Sequence, residues 1–185
     1  RTAIVNFLRG HDCGHGFKDA VMTFVENYPP QVVQCNMNLL GTHDTPRILT
    51  WLVDDFEGSR EEYSKRHISR NRLDLAYERL MMASFIQYML PGSPSLYYGD
   101  EAGMEGHKDP FNRRTYPWGR EDLVMRDTVR TLIGLRKSSE AVRSGRLRMG
   151  AVSGKCFALV RYQGEECVVL LVNQSAVPVS AAIYP

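Results

Sequence analysis

Leu39-Leu40-Gly41-Thr42-His43-Asp44-Thr45-Pro46-Arg47 is the stretch on which the architecture turns. It closes an apolar run that predicts a strand over 34–41. A His-Asp pair follows at once, and Pro46 then stops regular structure. A buried strand that hands polar side chains to its C-terminal end is how parallel α/β architectures build a site. A second stretch, Gly92-Ser93-Pro94-Ser95-Leu96-Tyr97-Tyr98-Gly99-Asp100-Glu101-Ala102-Gly103, has the same grammar about fifty residues on, with a short strand over 95–98.

Between the two lies a long helix over 70–90. Leu73, Ala76, Tyr77, Leu80, Met81, Phe85 and Met89 give it an apolar stripe, Ser69 is placed to cap it, and Pro91-Gly92 ends it. Two helices precede the first strand, over 2–8 and 15–28, the second stopped by Pro29-Pro30. Residues 54–68 are charged and predict a surface loop, and 104–119 show no periodicity. A further helix over 121–137 points Val129, Leu132, Ile133 and Leu135 inward, with an acidic start and a basic end that suit its dipole. Strands alternating with helices indicate parallel βαβ units, though two strands are too few for a finished α/β domain. The pattern changes near Ser144-Gly145. From Leu147 it is strand-like, with a turn at Gln163-Gly164-Glu165 and a β-branched run from Cys167 to Val172.

Composition excludes some partners. The chain has 185 residues, 43% hydrophobic and 24% charged, with a formal net charge of +2. Apart from a short cluster at Arg143, Arg146 and Arg148, basic residues are scattered among acidic ones, so no nucleic-acid footprint is expected. No apolar run is long enough to span a bilayer. Cys13, Cys35, Cys156 and Cys167 show no paired spacing, which predicts reduced, buried thiols and a cytoplasmic location. Asn173-Gln174-Ser175 matches a glycosylation sequon that this setting argues against using.

By residue chemistry alone, His43-Asp44 has several readings: a ligand, an acid/base pair, an anchor for polar substrate groups, a helix cap or a core hydrogen bond. His11-Asp12, with Cys13 and His15 nearby, resembles a metal cluster superficially but follows Gly10 after a helix, where Asp and His serve turns and caps. No metal or cofactor is expected.

Company narrows the first pair. Thr42-His43-Asp44-Thr45-x-Arg47 resembles the fourth conserved region of the α-amylase superfamily, glycoside hydrolase family 13. Gly92-x-Pro94-x-x-Tyr97-Tyr98-Gly99-Asp100-Glu101-x-Gly103 resembles that family's segment at the eighth barrel strand, and Asp109-Pro110-x-x-Arg113 with Trp118 resembles its neopullulanase, cyclomaltodextrinase and maltogenic amylase group. The resemblance covers about residues 1–140. It implies an α/β fold: the C-terminal segment of a (β/α)8 TIM barrel, about strands 7 and 8 with their helices, over 1–143, then the beginning of an all-β sandwich over 144–185. It also implies hydrolysis of α-1,4 or α-1,6-glucosidic bonds with retention. Asp44 would be the catalytic transition-state stabiliser, while His43, Asp109 and Arg113 would bind substrate. Asp100-Glu101 would shape a loop, not act as acid and base.

The family's Gly-x-Arg-x-Asp nucleophile segment, its acid and its Asn-His segment are not found in these residues. The expectation is therefore a piece of an enzyme, inactive alone, whose uncovered edges meet the rest of that enzyme or another copy. Its substrate would be an α-glucan, a maltooligosaccharide or a cyclodextrin. Two other classes compete: a non-catalytic α-amylase-like protein of the transporter heavy-chain type, and a glucan-binding module. The module would need an aromatic platform, and residues 145–185 offer little beyond Tyr162 and Tyr184.

Overall fold

The computed structural model describes residues 1–180; Tyr184 and the end of the 144–185 segment lie outside the described residues. Helices α1 (Thr2–Arg9), α2 (Gly14–Asn27) and α3 (Pro30–Cys35) lead to strand β1 (Met37–Leu39). Short helices α4 (Ile48–Trp51) and α5 (Arg60–Lys65) precede α6 (Arg70–Met89) and strand β2 (Ser93–Ser95). A long loop, α7 (Leu123–Ser138) and α8 (Glu140–Ser144) connect to β3 (Arg146–Ser153), β4 (Cys156–Gln163) and β5 (Glu166–Asn173).

The β1–α6–β2 passage is a parallel unit, with Met37, Asn38 and Leu39 opposite Ser93, Pro94 and Ser95. Gln87 of α6 fastens it by donating from Nε2 to Asn38 O at 2.7 Å and Ser95 O at 3.0 Å. One buried amide thus serves a carbonyl on each strand. The last three strands form an antiparallel meander in the order β3-β4-β5.

One core joins the meander to the helices. Phe7, Phe17 and Phe157 are fully buried, with ring centroids 4.7–5.7 Å apart, so α1, α2 and β4 share one aromatic contact. Such tilted and edge-on geometries suit the ring quadrupoles. Gly14 lets α2 approach the β3–β4 hairpin, since a Cβ there would lie 2.7 Å from Cys156 O. Arg161, also fully buried, donates to Met89 O and Gly145 O, both at 2.8 Å. It ties the end of α6, where carbonyls lack helical partners, to the entry of β3. Burial, then the nearby Arg136, lowers its pKa to about 10.

The structure corrects several expectations. The strand expected over 34–41 is only three residues long, because Pro30 starts a helix that runs through Cys35. Pro is favoured at a first helical position, where its fixed φ is already helical. The strand expected over 95–98 lies instead at Ser93–Ser95, in register with β1. The 54–68 loop contains α5, opened by a capping box in which Ser59 and Glu62 bond each other's backbone N–H. Ser69 stands at the α6 N-cap but makes no capping bond. Phe85 and Ile133 are exposed, not inward. Only Cys156 is buried; Cys13, Cys35 and Cys167 are exposed. Cys13 caps α2, accepting from Gly16 N, and Asp12 Oδ1 accepts from Cys13 N at 2.7 Å, so the His11–His15 stretch forms a turn and cap. Among the described residues, no helix is long and apolar enough to cross a membrane.

The aromatic contact predicts that Phe157→Ala lowers stability by about 3–5 kcal/mol, as Phe→Ala changes in closed cores do. Chemical denaturation should show the midpoint falling for helix and sheet signals together. A change confined to the sheet signal would mean the meander packs independently.

Candidate active site

The His-Asp pair lies in a turn just past β1. Thr42 and Thr45 close that turn on themselves: their hydroxyl oxygens are 3.0 Å apart, and Thr45 Oγ1 accepts from Thr42 N at 3.3 Å. His43 Nε2 is 3.1 Å from Asp44 Oδ2, and the side chains are 64% and 69% exposed.

The loop after β2 comes to meet this turn. Arg113 Nε donates to His43 O at 3.1 Å and lies 2.7 Å from Asp109 Oδ1 in an ion pair, while its Nη2 lies 3.6 Å from Asp44 Oδ1. The four residues singled out by sequence, His43, Asp44, Asp109 and Arg113, are therefore one cluster, although Asp44 and Asp109 lie 65 positions apart in the chain. A planar guanidinium can serve two carboxylates and a carbonyl at once because its donors fan out in a fixed plane. Arg113 is thus more than the local partner of Asp109.

Beneath the cluster is a group that sequence reasoning left unassigned. Arg47 is 1% exposed. Its Nε donates to Asn112 O at 2.7 Å, and Nη1 donates to Tyr98 O and reaches Asp100 Oδ1 at 3.3 Å. The rings of Tyr97 and Tyr98 lie 4.3 and 4.5 Å from its guanidinium carbon, a double cation–π contact. Asn112 is fully buried, and its Nδ2 donates to His43 O at 2.7 Å and Thr45 O at 2.8 Å. Arg47 was visible as the end of the first motif. Asn112 had no such signal, being one Asn in an aperiodic loop. Nearby, Trp118 is 81% exposed, with its ring 4.5 Å from that of Tyr116.

The chain is similar to known enzymes. Over 172 residues the chain is 38% identical to an amylopullulanase from Thermoanaerobacter thermohydrosulfuricus, covering 87% of this chain and 11% of the relative. It is 32% identical over 163 residues to a cyclomaltodextrinase from Geobacillus thermopakistaniensis, covering 86% of this chain and 24% of the relative. Among solved structures, the cyclic α-maltosyl-(1→6)-maltose hydrolase from Arthrobacter globiformis superposes with a TM-score of 0.77 at 26% identity, over 93% of this chain and 35% of that one. The chain belongs to the α-amylase superfamily, glycoside hydrolase family 13. No protein-family model matches the chain. Its likeness is to the C-terminal portion of these family 13 enzymes, and it spans only about a tenth to a quarter of the relatives' length.

In this family member the Asp100-Glu101 pair divides sharply. Asp100 is buried, and its Oδ2 has no hydrogen-bond partner among the described residues. Burial pushes its pKa from 3.8 up to about 7, outweighing the pull of Arg47 at 3.3 Å. Glu101 instead turns back on the loop, accepting from Gly99 N at 2.8 Å. Between the ordinary value near 3.8 and about 7, folded Asp100 keeps a proton that the unfolded chain has released. That contribution to stability is full below the window and is lost as pH rises through about 7. Asp100→Asn, neutral throughout, should abolish this component. The stability of wild type relative to Asp100→Asn, from denaturant midpoints at successive pH values, should fall across the window and then level. Parallel curves would contradict the assignment.

Proposed function

We propose that this chain is the strand 7 to strand 8 segment of a retaining α-glucan hydrolase of the neopullulanase and cyclomaltodextrinase type. Residues 1–143 would form the end of its (β/α)8 barrel, and residues 144–185 the beginning of its C-terminal sandwich. Support comes from the parallel β1–β2 pair, whose following loops converge at the strands' C-terminal ends. That is where barrel enzymes assemble their sites. The observation that carries the reading is Arg113, which holds Asp109 and reaches both the His43 carbonyl and Asp44.

In this role Asp44 accepts hydrogen bonds from hydroxyls of the sugar being cleaved, and His43 bonds a hydroxyl of the same ring. These bonds strengthen as positive charge develops at the anomeric carbon, so they favour the transition state over the bound ground state. Asp109 and Arg113 hold the neighbouring glucose. The nucleophile and the general acid, which complete the double displacement, are supplied by residues outside this chain. Asp100, buried beside Arg47, is excluded from those tasks by its position. Exposed Val169 and Leu171 on β5, and the outer edges of β1 and β2, are covered by the rest of the enzyme or by a second copy. We place the protein in the cytoplasm, where four free thiols are stable.

Reducing-sugar release from pullulan and from cyclodextrin tests the reading. The 185-residue chain alone should release none. The full-length protein should hydrolyse at least one of the two. Asp44→Asn in the full-length protein should lower kcat by about 10²-fold or more, the scale of losing a transition-state hydrogen-bonding group. Turnover by the isolated chain, or an unaffected Asp44→Asn enzyme, would overturn it.

A further inference from the structure

Among the described residues, the Asp44 carboxylate is held only by exposed side chains, His43 at 3.1 Å and Arg113 at 3.6 Å. Exposed ion pairs fix geometry weakly. The backbone beneath it is fixed differently. The two carbonyls that flank Asp44, those of His43 and Thr45, both accept from the one buried Nδ2 of Asn112. Asn112 is in turn held through its own carbonyl by Arg47 Nε at 2.7 Å, and Arg47 lies two residues beyond Thr45. The links close a ring: turn, Asn112, Arg47, turn. A shift of Asp44 away from Asn112 strains these part-buried hydrogen bonds, and the buried Asn112 amide left unpaired is costly. The next residue, Arg113, extends from the same backbone to Asp109.

We infer that Asn112 is a positioning residue for Asp44 and His43: it touches no substrate and sets where the Asp44 carboxylate meets the sugar. The catalytic part of this rests on the role proposed for Asp44. The structural part stands on the ring of hydrogen bonds alone. A catalytic group displaced by about 1 Å can cost about 10²-fold in rate without loss of binding.

Two variants decide it. Asn112→Leu keeps the volume and removes both donors. Asn112→Asp places a carboxylate against two carbonyl oxygens; charged, it donates nothing, and protonated, it regains one donor. In the 185-residue chain, the amide resonances of His43, Asp44 and Thr45 should move in both variants at neutral pH while those of α6 stay in place. In Asn112→Asp they should return toward the wild-type positions as pH falls, and in Asn112→Leu they should not. In the full-length protein, kcat should fall about 10²-fold with KM changed by no more than about threefold, again with partial recovery at lower pH for Asn112→Asp only. Unmoved turn resonances in both variants would overturn the inference, as would a KM-only effect. A released turn with unchanged kcat would uphold Asn112 as the anchor of the turn and instead contradict the role proposed for Asp44. If Asn112→Leu does not fold, the pH course of Asn112→Asp carries the same decision.

Discussion

A guanidinium cannot be stripped of water without replacing what water supplied, and Arg47 is almost completely stripped. For Nε and Nη1 the replacements are the carbonyls of Asn112 and Tyr98 and the carboxyl of Asp100, and the faces of Tyr97 and Tyr98 cover the guanidinium; Nη2 makes no hydrogen bond among the described residues. Those partners come from the loop after β2 and its extension, while Arg47 itself leaves the loop after β1. One buried cation therefore fastens two loops that share no secondary structure. The backbone of Arg47 takes part as well, donating to Gly106 O at 2.9 Å. Everything at the surface above, from the His43-Asp44 turn to the Asp109–Arg113 pair, inherits its position from this contact.

The arrangement separates rigidity from exposure. The groups able to meet a sugar lie open to solvent, where they gain little from one another. The groups that hold them are buried and make short, directed hydrogen bonds. Asp100 is buried with the second set, although its one contact to Arg47 is 3.3 Å long. Burial dominates its titration, so it acts as a partly neutral neighbour of Arg47 and not as a free carboxylate. Glu101, one residue on, serves its own loop. Two adjacent acids in one motif thus have different structural duties.

Legibility followed the kind of signal each element leaves. Helices α1, α2, α6 and α7 were evident from their apolar spacing and the breakers or charges at their ends; Gly10 at φ 78° and Asp122, which accepts from Met125 N, end and begin helices where expected. The β-strands were evident from the strand-like pattern after Leu147, the turn at Gly164 and the β-branched run over 167–172. Bounds of β1 and β2 were not, because three-residue parallel strands are defined by whom they pair with, and pairing leaves no mark on the strand itself. Helix α5 was missed although Ser59 and Glu62 have capping-box spacing, since charge-rich composition suggested a loop. The four candidate site residues were found through motif resemblance, and the structure gathers them around Arg113. Asn112 was not legible. A buried Asn in an aperiodic loop is recognised only by the carbonyls it reaches.

The central claim is that Arg47 makes the two loops one cooperative unit, and native-state hydrogen exchange tests it most directly. Amides in residues 42–47 and 97–113 should open with a common free energy in the wild type. Arg47→Met, which keeps the stem and removes the donors, should lower protection in both segments together while the β4 amides keep theirs. Loss of protection in one loop with the other unchanged would contradict the account.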